Sequence, residues 1–295
     1  MSMETRRIGS LEVSAIGLGC NNFGRRLDEA GTAAVVDAAL DTGINFLDTA
    51  DIYGGTKSEE FLGHVLRGRR ERVVLATKFG MPVGGARAGA RPEYVRAACE
   101  ASLRRLATDH IDLYQLHTPD PETPLADTLG ALHELQRAGK VREIGCSNVG
   151  ADHLAAFASV QNEYSILVRD PEAEVLPACE RLGVAFLPYF PLASGLLTGK
   201  VRRGQPLPEG SRVVDGAARW ITEERIAIVE ALIAWTEARG HTLHELAFAY
   251  LLAAPAVASV IAGAMSPSQV QANAAVSWRL TPDESEEVRR IAAAR

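Results

Sequence analysis

Gly43-Ile44-Asn45-Phe46-Leu47-Asp48-Thr49-Ala50-Asp51-Ile52-Tyr53-Gly54 is the stretch on which the fold turns. Its run Ile44-Asn45-Phe46-Leu47 is short and mostly apolar, reads as a strand and ends at Asp48. Tyr53 follows five residues later. Two later runs have the same shape: Val73-Val74-Leu75-Ala76-Thr77 ends at Lys78, and Ile111-Asp112-Leu113-Tyr114-Gln115-Leu116 ends at His117. If these strands are parallel, a carboxylate, a phenol, an amine and an imidazole gather at one edge of one sheet.

Outward from this stretch, strand-like and helix-like segments alternate to both ends of the chain. Further strands are read at Ala15 to Gly19, Val141 to Ser147, Val160 to Glu163, Val184 to Tyr189 and Ala258 to Ile261. Helices are read at Asp28 to Asp41, Ser58 to Leu66, Pro92 to Leu106, Pro124 to Gly139, Ala151 to Phe157, Pro171 to Leu182, Thr222 to Arg239 and Thr242 to Ala253, with a last one opening near Ser266-Pro267. The exception comes first: Thr5 to Ile8 and Leu11 to Ser14 flank Gly9-Ser10, a hairpin signal. Uninterrupted βα alternation implies parallel strands with right-handed crossovers. Eight such units in 295 residues fit an α/β fold, a closed (β/α)8 TIM barrel with an N-terminal β-hairpin, as one domain over 1–295. An open doubly wound sheet meets the same periodicity. Pro191 to Trp220 is the longest stretch without a clear period, and long loops in compact domains are usually functional.

Hydrophobic residues make up 47% of the chain, enough for a sizeable core. A net charge of −6 argues against nucleic-acid binding and a polybasic membrane anchor. Cys20, Cys99, Cys146 and Cys179 form no C-x-x-C pair, which fits reduced thiols in a cytoplasmic protein rather than a disulfide framework or a metal site. No apolar secretory h-region stands at the start, and no run approaches the ~18 apolar residues of a membrane span.

The four gathered groups have complementary chemistry. A free tyrosine has a pKa near ~10, too high for efficient acid–base work at neutral pH, and a neighbouring ammonium lowers it. Lys78 supplies that charge, Asp48 holds Lys78, and His117 offers a hydrogen bond to a carbonyl oxygen. The result is a proton donor for a developing oxyanion. The chain has no G-x-S-x-G elbow and no H-E-x-x-H helix, since His133-Glu134 and His244-Glu245 each lack the second His. A proton donor without a nucleophile suits reduction of a small-molecule carbonyl by hydride, which requires a cofactor.

With these residues in place, the chain resembles the aldo-keto reductase superfamily over nearly its whole length. The likeness is carried by Gly43 to Gly54 with Ser58-Glu59 and Leu62-Gly63, by Ala76-Thr77-Lys78, by Leu113 to His117, by Ile144-Gly145-Cys146-Ser147-Asn148, by Gln161-Asn162-Glu163-Tyr164 and by Pro191 to Lys200. It implies a catalytic tetrad of Asp48, Tyr53, Lys78 and His117, with Tyr53 as the acid. It also implies that Ser147, Asn148 and Gln161 hold the nicotinamide carboxamide and that Tyr189 stacks on the ring. Gly19, Cys20 and Asn21 flank the ring, and Phe190, Pro191, Leu192, Ser194, Gly195 and Leu196 wrap the pyrophosphate. The segment after the last strand, with Gly263, Gln269 and Asn273, takes the adenosine phosphate, where a helix N-terminus also suits an anion.

That segment departs from the family pattern. No basic residue lies between Ile261 and Val276, so the charge-assisted grip on a 2′-phosphate is missing there. NADP is the expected cofactor, with NAD as the alternative; Ser266, Gln269, Lys200, Arg202, Arg203 and Arg212 are the substitutes for that grip. Substrate-pocket candidates are Asn21, Asn22, Phe23, Tyr53 and Trp220. Two other readings stand beside reduction. Gly17-Leu18-Gly19-Cys20-Asn21-Asn22 is a near miss to the dinucleotide fingerprint of an open-sheet dehydrogenase, failing at Asn22. A non-catalytic cofactor-binding regulatory protein of the same fold is the second. Substrate identity, direction of reaction and oligomeric state are not legible.

Overall fold

The computed structural model describes residues 3–84, 89–207 and 221–293. Strands β3 (Ile16–Gly19), β4 (Phe46–Asp48), β5 (Val74–Phe79), β6 (Ile111–Leu116), β7 (Val141–Ser147), β8 (Ser159–Glu163), β9 (Ala185–Tyr189) and β10 (Val260–Gly263) form one parallel sheet. They stand in chain order, with β10 returning beside β3 in the register Val260↔Ile16 to Gly263↔Gly19. The remaining seam, between β9 and the approach to β10, is joined by a parallel bridge from Phe186 to Val257. There Phe186 N–H donates to the Ala256 carbonyl at 2.7 Å, and Ala258 N–H to the Phe186 carbonyl at 3.0 Å. The sheet is thus a barrel, not an open doubly wound sheet.

Side chains alternate across each strand, as a pleated strand requires. Phe46, Ala76, Leu113, Ala185 and Leu187 pack together inside the barrel. Leu47, Leu75, Tyr114 and Phe186 face the other way, into the layer shared with the helices. The antiparallel hairpin of β1 (Thr5–Ile8) and β2 (Leu11–Ser14) stops the N-terminal end. Its Ile8, Leu11 and Val13 join the interior cluster, and Ser14 Oγ accepts from the backbone of Asn45 and Phe46 at 3.1 and 3.3 Å.

Helices α1 (Glu29–Asp41), α2 (Lys57–Val65), α3 (Pro92–Leu106), α4 (Leu125–Arg137), α5 (Val175–Leu182), α6 (Glu223–Glu237), α7 (Leu243–Leu252) and α8 (Pro267–Ala274) connect or follow the strands, with a 3-10 turn between β7 and β8 and both α6 and α7 between β9 and β10, and α9 (Pro282–Ala293) comes last. Local chemistry sets their starts. Asp28 caps α1, Pro92 opens α3, Thr242 and Glu245 form a capping box on α7, and Ser266 caps α8. A Cβ at Gly63 would lie 2.3 Å from the Arg105 carbonyl, so α2 meets the end of α3 only because that position is glycine.

Three elements differ from expectation. Ala151–Ala156 is a 3-10 turn, since six residues nucleate an α-helix poorly. Pro171 lies in a separate 3-10 turn, Asp170–Glu172, and the α-helix begins only at Val175, past Glu174 with its φ of −135°. Helix α9 was not anticipated because it buries only Ser285 and Val288, although the reciprocal bonds between Thr281 and Glu284 mark its start.

Candidate active site

Asp48 is the last residue of β4 and pairs in register with Gly19 and Ala76, so its carboxylate points into the C-terminal mouth of the barrel. Lys78, two residues beyond Ala76, points the same way. Its Nζ donates to Asp48 Oδ2 at 2.5 Å and to the Thr49 carbonyl at 2.9 Å. The other oxygen, Asp48 Oδ1, accepts from Gln115 Nε2 at 2.9 Å and from Gln161 Nε2 at 3.0 Å. Lys78 is 1% exposed and Asp48 3%, so this is a buried ion pair with its spare lone pairs filled. Only such pairs keep their charges in an interior.

Tyr53 opens the 3-10 turn Tyr53–Thr56. Gly54 and Gly55 both have positive φ there (60° and 66°), and a Cβ on Gly54 would lie 2.5 Å from the Phe23 carbonyl. That close approach fixes the turn against the segment after β3. It puts the Tyr53 ring 5.2 Å from Lys78 Nζ and edge-on to His117, with centroids 5.9 Å apart. His117 follows β6, and its N–H donates to the Phe79 carbonyl at 2.8 Å. Its Nδ1 is buried with no hydrogen-bond partner among the described residues.

Burial decides the electrostatics. It pushes the Tyr53 phenol above the ordinary tyrosine value and outweighs the opposing pull of Lys78. The expected net lowering by the lysine is therefore corrected: in this state the phenol holds its proton firmly. Burial also pulls Lys78 down, but Asp48 and Tyr53 together hold its pKa above the usual lysine value. His117 is drawn down to about 3 by burial, with Lys78 adding to it, so its imidazole is neutral at pH 7.

A second cluster stands beside the first. Ser147 Oγ donates to the Gln161 carbonyl at 2.6 Å. Asn148, held at φ 59°, donates through Nδ2 to the His117 carbonyl at 3.0 Å and accepts from the Tyr189 hydroxyl at 2.8 Å. One side chain thus ties the ends of β6, β7 and β9 together. Both clusters open into one cavity of about 610 Å³. From Tyr53 and His117 it runs past Gly19 and Tyr189, between the 190–201 loop and the start of α8, to His244 and Asn273.

Residues 15–293 match the model of the aldo/keto reductase family. The chain belongs to that family. An uncharacterized oxidoreductase of Bacillus subtilis, YqkF, is 35% identical, the alignment covering 96% of this chain and 94% of that one. The aldo-keto reductase AKR11C1 from Bacillus halodurans, solved in its holo form, is 36% identical with a TM-score of 0.84, over 99% of this chain and 97% of that one. The glycerol dehydrogenase AKR11B4 from Gluconobacter oxydans is 29% identical with a TM-score of 0.88, over 99% and 96%. Aldo-keto reductases are oxidoreductases that use nicotinamide cofactors.

Of the residues read from sequence, Asp48, Tyr53 and His117 line this aldo-keto reductase's cavity, and Lys78 lies buried behind them. So do Gly19, Cys20, Asn21, Ser147, Asn148, Gln161, Tyr189, Phe190, Pro191, Leu192, Ser194, Gly195, Gly263, Gln269 and Asn273. Leu196 does not: it is fully buried in the core. Phe23 is likewise turned into the core rather than the substrate pocket. Arg202 pairs with Glu237, and Arg203 with Glu223 and Glu230, so both lean onto α6. Lys200 lines the cavity near His244. Arg212 and Trp220 lie outside the described residues. Gln115, Arg26 and His244 are site residues that the sequence reading does not assign to the site. Gln115 alternates inward with Leu113 on β6, a signal available from the strand period; nothing local marks Arg26 or His244.

Proposed function

We propose that the chain reduces aldehyde and ketone carbonyls, or oxidises the corresponding alcohols, using NADPH, with Asp48, Tyr53, Lys78 and His117 as its catalytic residues. The observation that carries this is the buried Asp48–Lys78 pair set under the Tyr53 ring and beside a neutral His117, at the mouth of the cavity. When bound, the nicotinamide supplies the hydride. Tyr53 keeps its proton until negative charge develops on the substrate oxygen. Lys78 then stabilises the phenolate left behind, and Asp48 keeps Lys78 charged and aimed. Neutral His117 donates a hydrogen bond to the same oxygen without placing a second cation beside Lys78.

The cavity suits a dinucleotide: glycines at Gly19 and Gly263 admit close approach, and a tyrosine, an amide and a serine are already held in place by one another. NADPH is favoured by Lys200, which stands near His244, itself bonded to Asn273 at 2.9 Å. It supplies a cation at the end of the cavity where the segment after β10 has none. Gln269 is less available, because its Oε1 accepts from Met265 N–H at 2.8 Å.

A panel of carbonyl compounds with NADPH and NADH tests the reading, run on the wild type and on Tyr53→Phe. Turnover that vanishes in the variant supports it. Full activity in Tyr53→Phe refutes the proton-donor role, absence of turnover across the panel favours a cofactor-binding regulatory protein, and a large kcat/KM preference for NADH overturns the cofactor assignment.

A further inference from the structure

Behind the Tyr53–Lys78 pair lies a set of buried charges that do not balance. Asp51, two residues before Tyr53, is 2% exposed, and Glu59 on α2 is fully buried. With Asp48 they make three interior carboxylates. Among the described residues two cations face them, and each is already committed. Lys78 is paired to Asp48 at 2.5 Å, and Arg105 to Glu59 Oε2 at 2.6 Å. Glu59 Oε1 is taken by the Thr77 hydroxyl at 2.6 Å. Asp51 is the carboxyl left over. Its Oδ1 is buried without a hydrogen-bond partner among the described residues, and the same holds for the fully buried Tyr114 hydroxyl. The groups that face Asp51 are Glu59 from α2, Arg105 and Tyr94 from α3, Lys78 from β5 and Tyr114 from β6. An ionised carboxylate with no cation of its own and one oxygen unbonded in such a place is costly, and it escapes the cost by binding a proton.

Resting on the catalytic reading above, we propose that Asp51 is a positioning residue that is a neutral carboxylic acid in the active enzyme, and that its ionisation is a pH switch on the Lys78–Tyr53 pair. Burial and the Glu59 charge, against the pull of Arg105, the Ile52 backbone N–H and Lys78, raise its carboxyl to about 7, within the range where a switch works. The link to the site is direct. Asp51 N–H donates to the carbonyl of Lys78 at 3.1 Å, and Tyr53 N–H donates to Ala50 in the same turn at 3.1 Å. Ionised Asp51 puts a second negative charge beside Lys78, so part of the ammonium's field no longer serves the Tyr53 phenolate. Proton donation to a carbonyl then weakens as pH rises through the Asp51 titration. A neutral Asp51 leaves Lys78 wholly to Asp48 and Tyr53.

Infrared difference spectra of the whole protein between pH 6 and pH 8.5 test this without turnover. The expected result is a carboxylic-acid carbonyl band in the wild type that disappears at the higher pH and is missing from Asp51→Asn. In kcat/KM for reduction, the wild type should fall by about thirtyfold over the same span, following the protonated fraction of a single group that titrates at about 7, while Asp51→Asn, an isosteric mimic of the neutral acid, stays flat. Absence of the band in the wild type overturns the proposal whether or not the variant folds, as does an Asp51→Asn profile that falls like the wild type's. Tyr53→Phe separates the two readings. An active Tyr53→Phe with the band present defeats only the catalytic assignment; an inactive one with the band absent defeats only the switch.

Discussion

Strand β6 carries one buried polar residue toward each end of the barrel, and the two ends treat them differently. Near the hairpin, Asp112 is 1% exposed and saturated. Its Oδ2 accepts from Arg70 at 2.7 Å and from Leu75 N–H at 2.9 Å, and its Oδ1 from Arg142 at 2.9 Å. At the mouth, Gln115 serves Asp48, but around that pair His117 Nδ1, Asp51 Oδ1 and the Tyr114 hydroxyl are without a partner among the described residues. Asp112 has both its oxygens held by fixed donors, whereas the groups around Asp48 keep atoms whose partners can change during a reaction. On the proposed function, stability and chemistry sit at opposite ends of the same strands, as parallel barrels allow.

The largest expected effect breaks this comparison if it fails. Lys78→Met should lower kcat/KM by roughly 10³-fold or more, since it removes the charge that stabilises the phenolate. Steady-state kinetics reads this, and calorimetry should show the fold retained at some loss of stability. Asp112→Ala should do the opposite. Denaturant unfolding should lose about 3 kcal/mol because two arginines lose a buried partner, while kcat per folded molecule is unchanged. A large kinetic defect in Asp112→Ala would mean the two ends are coupled.

Gln115→Met is smaller and sharper. It removes one of three bonds to Asp48, so kcat should fall by about tenfold, comparable to one hydrogen bond to a charged group. A further effect is a pH dependence of stability. His117 has a folded pKa of about 3 against about 6.5 unfolded, so the unfolded state binds the extra proton between these values. Stability should therefore decline as pH falls from about 6.5 toward 3. His117→Gln should reduce that slope in acid-titration melts.

Much of this was legible in the sequence. Short apolar runs ending in polar residues gave strand ends within a residue or two, because strand period and burial act locally. Asp28, Pro92 and Ser266 announced their helices through capping chemistry. What was hidden depends on three-dimensional neighbours. The Tyr53 pKa shifts upward because burial outweighs Lys78, and no spacing reveals burial of a loop residue. Leu196 and Phe23 sit among cavity residues in sequence and turn away in space. Arg202 and Arg203 look free in sequence yet find glutamates on α6. The odd carboxylate, Asp51, emerges only once Lys78 and Arg105 are seen to be occupied.

The closure of the barrel bears on how the protein is made. Gly19, at the end of β3, pairs with Gly263, and Phe186 reaches its bridge partner only at Val257. Both edges of the cavity wait for β10 and the segment before it, so the barrel closes only after the other seven strands of the sheet have been made. Contacts this distant in sequence make assembly slow. A fragment that stops before β10 therefore lacks the wall of the cavity that Ile261, Gly263 and Asn273 supply.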